Sequence, residues 1–143
     1  MNIVETISFD RVRRTTPKKI NELIDLKREI SVEYYKDADI ESIKQRIGEL
    51  DREWDIERTL ELNAAIFGLT GAILAVTKNK RWLFLTGIVT ASLALHAIQG
   101  WCPPVPLFRK FGVRTQKEID AEKKALTEIL ENKNSPSSGS LSF

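Results

Sequence analysis

The chain is poor in the residues from which reactive centres are commonly built: its 143 residues include one cysteine and one histidine. A lone cysteine, Cys102, excludes an internal disulfide framework and any Cys-x-x-Cys redox or zinc motif. One cysteine and one histidine cannot close a four-ligand zinc site. A glycine-rich phosphate loop, a serine or cysteine triad and paired carboxylates are all lacking, so the chain is expected to be no enzyme and to need neither cofactor nor metal. Charge of one sign is also scarce. Lys and Arg total 22 against 20 Asp and Glu, and the net charge of +2 is too small to indicate nucleic acid as a partner. Internal repeats are lacking. The first residues do not pair a basic segment with an apolar core, so no cleavable signal peptide is expected.

What the chain does have is two apolar stretches, 62–77 and 82–98, separated only by the basic run Lys78-Asn79-Lys80-Arg81. Each offers about seventeen residues, roughly 26 Å of helix, against a hydrocarbon core of roughly 30 Å. Neither 64–76 nor 83–95 contains a charged residue. A soluble bundle would need a polar face on each, and the rest of the chain is too short to wrap two all-apolar helices. The pattern therefore predicts a two-helix transmembrane hairpin, with the lipid bilayer as its first partner. Trp82 and Trp101 bracket the second span, as interfacial aromatics do. Small residues Ala64, Gly68 and Ala72 in one span, and Gly87, Ala91 and Ala94 in the other, predict close helix approach.

Around this hairpin the chain is predicted all-α. Residues 1–16 are expected to be a flexible N-terminus, and Thr16-Pro17 offers an N-cap followed by proline at the first helical position. Ile20, Leu23, Lys27, Ile30 and Tyr34, with Ile24 and Leu26, give one amphipathic helix; Ile40, Ile43, Ile47, Leu50 and Trp54 give a second, which runs on into the first span. Joined by the turn at 36–39, they form an amphipathic helical hairpin over 17–57, each helix being the other's nearest partner; a self-associating coiled coil is the rival, but only about two heptads are available for it. After the second span Pro103, Pro104 and Pro106 stop the helix. Trp101, Phe108 and Phe111 beside Arg109 and Lys110 suit the headgroup level. Thr115-Gln116-Lys117-Glu118 is a capping box that opens a C-terminal helix over 116–131. A disordered tail over 132–143 follows, since its Ser-Pro-Gly composition has little to bury.

Basic residues before the hairpin (Lys44, Arg46, Arg52, Arg58) and after it (Arg109, Lys110, Arg114, Lys117) outnumber the three in the loop, which predicts that both termini are cytoplasmic. Folding about the loop brings Arg58 level with Cys102, Glu61 with Gln99, and Asn63 with His96. Polar groups at a membrane edge need partners, so Arg58, Glu61, Asn63, His96, Gln99, Trp101, Cys102 and Pro103 form the candidate functional cluster. A guanidinium beside Cys102 would favour its thiolate. Satisfaction by water or headgroups is the structural alternative.

The run Trp54-Asp55-Ile56-Glu57-Arg58, the glycine-bearing first span, Gly100-Trp101-Cys102-Pro103 and Phe111-Gly112-Val113-Arg114-Thr115 resemble the YgaP-like inner-membrane transmembrane domain family. The likeness covers about 54–117. It implies a bacterial inner-membrane helical hairpin able to dimerise, with 58–117 as the membrane domain. Some members carry a rhodanese sulfurtransferase domain; here the N-terminal part has neither the cysteine nor the alternating strands and helices of one. The expected function is thus a non-enzymatic inner-membrane anchor or interaction protein, whose partners are a second copy or a cytoplasmic or membrane protein. The alternative is a Cys102 thiol relaying sulfane sulfur, a metal or redox equivalents. Basic residues at both ends of the hairpin suggest, more weakly, passage of a small anion.

Overall fold

The computed structural model describes residues 10–135. Seven α-helices follow one another in those residues, with no strand among them: α1 (Arg11–Thr15), α2 (Lys18–Asp37), α3 (Ile40–Leu50), α4 (Ile56–Thr77), α5 (Leu83–Gln99), α6 (Val105–Lys110) and α7 (Gln116–Asn134). A 3₁₀ turn, Lys80–Trp82, joins α4 to α5. Residues 1–9 and 136–143 lie outside the described residues. They hold most of the expected flexible N-terminus and disordered tail.

The local signals explain most element boundaries. Asp39 accepts the Ser42 amide at 3.1 Å and opens α3. Asp55 accepts the Arg58 amide at 2.7 Å and opens α4. Thr115 and Glu118 form the reciprocal box that opens α7. Two boundaries differ from the pattern. Residues 10–16, expected to be flexible, include α1, because Asp10 caps it and Val12 is buried at 2 % exposure. Thr16 is consequently not the cap of α2; its hydroxyl donates to the Val12 carbonyl at 2.7 Å and closes α1 instead. The second amphipathic helix does not run on into the apolar one either. Its ladder stops at Leu50, and the Ile56 amide crosses over to the Arg114 carbonyl at 2.8 Å before α4 begins.

The largest departure is in helix partnership. The seam of α3 packs chiefly on α7, and α2 also packs on α7, so the two N-terminal helices share a partner rather than forming a self-sufficient hairpin. Ile43 and Leu50 meet Ile119 and Leu126, with Tyr35, Ile47, Ile129 and Leu130 around them. Each of the four central side chains contributes about 1.5–3 kcal/mol by burial. Trp54, the last residue of the predicted seam, lies beyond the helix end and is exposed. The C-terminal helix also runs three residues past its predicted end at 131, to Asn134.

The two apolar helices α4 and α5 pack along each other. They come close at Gly71, where a Cβ would stand 2.6 Å from Thr86 Oγ1. That hydroxyl donates to the Gly68 carbonyl at 3.1 Å. Ala75 is buried one turn beyond Gly71. On α5, by contrast, Gly87, Ala91 and Ala94 are exposed, so the small-residue strip predicted for that helix faces away from α4. Thr86 makes the contact instead, because a short hydroxyl side chain both fits against glycine and finds an acceptor there.

The helices gathered on α7 meet the α4–α5 pair at the end opposite the Lys80–Trp82 turn. Gly100 caps α5 at φ +75°, and a Cβ there would stand 2.5 Å from Arg11 Cβ. Only glycine allows both the left-handed backbone and the close approach of α1. Val12, Ile56, Leu60, Cys102 and Val105 form the joining apolar cluster, with Phe108 and Val113 against it.

Candidate functional site

The eight candidate residues fall into separate places. Asn63, Cys102 and Pro103 line an apolar groove of about 290 Å³ between α4 and α5, together with Phe67, Ile88 and Ser92. None of its lining residues is charged. Glu61 and His96 line a second cavity of about 320 Å³ with Arg11, Glu57, Leu93 and Ala97. Glu61 therefore stands level with residues 93–97 of α5, short of Gln99. Arg58 reaches neither cavity and lies 4.9 Å over the Trp54 ring. Gln99 and Trp101 are exposed at the end of α5.

The geometry around Cys102 runs against an activated thiol. Its side chain is 3 % exposed among Val12, Ile56, Leu60 and Val105. Burial pushes the thiol up, and the Val105 amide only partly offsets it. The Arg58 guanidinium expected to lower it is engaged by Trp54. His96 is buried and its Nδ1 has no hydrogen-bond partner. Asn63 spends its amide on the Thr59 carbonyl of its own helix, at 2.7 Å. Among the described residues, no three His, Cys, Asp or Glu side chains stand close enough to share a metal ion.

The densest chemistry lies outside the predicted cluster, in a buried charge network across α1, α2, α3, α6 and α7. Arg109, expected at the headgroup level, is 1 % exposed. It donates to both oxygens of Glu118, at 2.6 and 2.8 Å, and to Asn21 Oδ1 at 2.8 Å. Its burial follows from geometry: the short α6 turns this face onto the first turn of α7. Arg13 reaches Glu118 at 2.6 Å and Asp25 at 2.7 Å. A second centre forms one turn along α7, where Glu122 meets Arg114, Arg46 at 3.0 Å and the Ser31 hydroxyl at 2.7 Å. Arg114 also holds Glu53.

Burial by itself would raise both carboxyls. The Arg109 hydrogen bonds and charge overcome it at Glu118, and Arg114, Ser31 and Arg46 do so at Glu122, so both are held below the usual carboxylate range. All these charges are matched within the fold, which makes the network a structural clamp. One sign of it was in the sequence. Glu118 and Glu122 lie four apart on the same helix face as Ile119 and Leu126, where an amphipathic helix ordinarily carries apolar residues.

No family model, curated protein or solved structure matches the chain.

Proposed function

We propose that the chain is a two-span membrane protein of the bacterial inner membrane, in which α4 and α5 form the anchor and the helices gathered on α7 form a non-enzymatic interaction module. The observation that carries this is exposure. Two adjacent helices are long and apolar enough to cross a membrane, and their large side chains point outward: Ile66, Leu69, Ile73 and Val76 on α4, and Phe84, Ile88 and Ile98 on α5, are each at least half exposed. A soluble core helix would bury them, and on two adjacent helices long enough to span a bilayer an apolar surface of this extent favours lipid as its surroundings. The hydroxyls along the spans support the same reading. Thr70, Thr77 and Thr90 each donate to the carbonyl four residues earlier, which satisfies them without water.

Orientation follows from what lies at each end. The clamped module, formed by described residues before α4 and after α5, sits at one end of the apolar pair, while only the short segment around Lys78–Arg81 sits at the other. Carrying that segment across the bilayer requires far less than carrying the charged module, and the basic residues flanking the spans favour the same outcome. Both termini are therefore cytoplasmic in this proposal. The thiol-relay alternative is not carried forward, because Cys102 is buried and Arg58 is engaged elsewhere. Alkaline carbonate extraction tests the anchor: the chain should remain in the membrane pellet and leave only with detergent, and recovery as a folded soluble monomer would overturn it.

A further inference from the structure

The cavity of about 320 Å³ walled by Arg11, Glu57, Glu61, Leu93, His96 and Ala97 holds charges that the fold leaves unmatched, unlike the network on α7. Glu57 and Glu61 stand four residues apart on α4, so their carboxylates share a helix face. Neither has an ion-pair partner among the described residues, and neither has Arg11. The Arg11 guanidinium donates to the Ala97 carbonyl of α5, which ties α1 to this wall and uses one of its nitrogens. His96 is 8 % exposed, and its Nδ1 is buried without a hydrogen-bond partner among the described residues. A buried polar atom left unpaired is costly, and a ligand in this cavity would pair it.

We propose that this cavity binds the ammonium–phosphate pair of a phosphoethanolamine headgroup. A primary ammonium has three N–H donors, and the cavity offers three acceptors: the carboxylates of Glu57 and Glu61, and His96 Nδ1 in the tautomer protonated at Nε2. The remaining N–H groups of Arg11 take a phosphate oxygen in a charge-assisted contact. Two carboxylates against one guanidinium disfavour a simple anion. Among the described residues no three His, Cys, Asp or Glu side chains stand close enough to share a metal ion, which leaves a polyatomic cation. A trimethylammonium has no N–H to donate, and a glycerol headgroup has no cation. The site therefore distinguishes phosphoethanolamine from both.

A lipid as the source of this headgroup rests on the anchor proposal. Glu57 and Glu61 lie in the first two turns of α4, and His96 and Ala97 in the last turn of α5. The cavity thus falls at the end of the spans nearest the module, which in an inserted chain is the headgroup level of one leaflet. Leu93, one turn deeper on α5, lends an apolar wall to the part of a lipid that follows its phosphate. Free phosphoethanolamine carries the same headgroup chemistry without that part.

The test is native mass spectrometry of the full chain in a mild nonionic detergent, after incubation with equal amounts of phosphatidylethanolamine, phosphatidylcholine and phosphatidylglycerol. The phosphatidylethanolamine adduct should exceed each of the others about tenfold, and Glu61→Gln or Arg11→Gln should each remove most of that preference. Glu61→Asp, which keeps the charge, should retain it, so loss through misfolding is told apart from loss of the contact. Displacement by millimolar O-phosphoethanolamine would show that the headgroup suffices, and persistence of the adduct would show that the lipid itself is held; both support the site. Equal adducts of the three lipids, or a preference that survives both Glu61→Gln and Arg11→Gln, overturns it. Carbonate extraction separates this inference from the anchor. A chain that inserts but shows no preference overturns the site and leaves the anchor standing, whereas a soluble chain that binds O-phosphoethanolamine through Glu61 and Arg11 overturns the anchor and supports the site.

Discussion

One carboxylate, Glu118, closes the first turn of α7 by accepting the Thr115 amide at 2.8 Å, holds both forks of Arg109 and meets Arg13. Removing one partner of a fully buried pair leaves the other charge uncompensated, which costs about 3–5 kcal/mol. Glu118→Gln should therefore destabilise the module by about that amount at neutral pH, read as protease sensitivity or near-ultraviolet circular dichroism of the inserted chain. The pH dependence has a definite sign. Because Glu118 and Glu122 are held below their ordinary values, their contribution is complete above roughly pH 4.3, the unfolded carboxyl value, and is lost as pH falls through the folded values. Wild type should loosen in that acid window, and Glu118→Gln should show a shallower acid dependence there; an unchanged profile would show that Glu118 is not the acid-sensitive group. The capping role of Glu118 was legible in Thr115-x-x-Glu118. Its second role was not, since Arg13 stands 105 positions away and local spacing carries no information at that distance.

At the scale of elements, α7 organises the module, and its position in the chain hides this. The period of α3 predicts the apolar seam through Ile43 and Leu50, and those side chains are buried. Period alone cannot select between two amphipathic partners. Here the choice is made by matched charges across the α3–α7 contact, Arg46 with Glu122 and Asp51 with Lys123, and by the fit of Leu126 into the α3 face. Leu126 is fully buried. Leu126→Asp places an unpaired carboxylate there and should cost about 3–5 kcal/mol. Limited proteolysis should then cut within both α2 and α3 while the chain stays carbonate-resistant. Cleavage confined to α7 would show that α2 and α3 hold together without it.

For the whole molecule, the two ends of the α4–α5 pair should lie on opposite sides of the bilayer. In the Cys102→Ser background, a cysteine at Asn79 should react with an impermeant maleimide added to intact cells, whereas one at Lys44 should react only after lysis. The reverse pattern would invert the topology. Asn79 suits this test because it is exposed, and its side chain caps only the Arg81 amide, at 3.0 Å.

Composition and period alone determined that this chain is helical, that two of its helices are apolar on every side, and where helix ends fall when a short polar side chain caps them. Those properties depend on residues within one or two turns of each other. Only the tertiary structure decided that α1 forms, that α7 is shared by α2 and α3, that Arg109 and Glu118 are buried together, and that Cys102 is buried in an apolar cluster while Arg58 turns to Trp54. Each of these depends on which surfaces meet across long separations in the chain, where burial sets both the energy of a charge and the reactivity of a thiol.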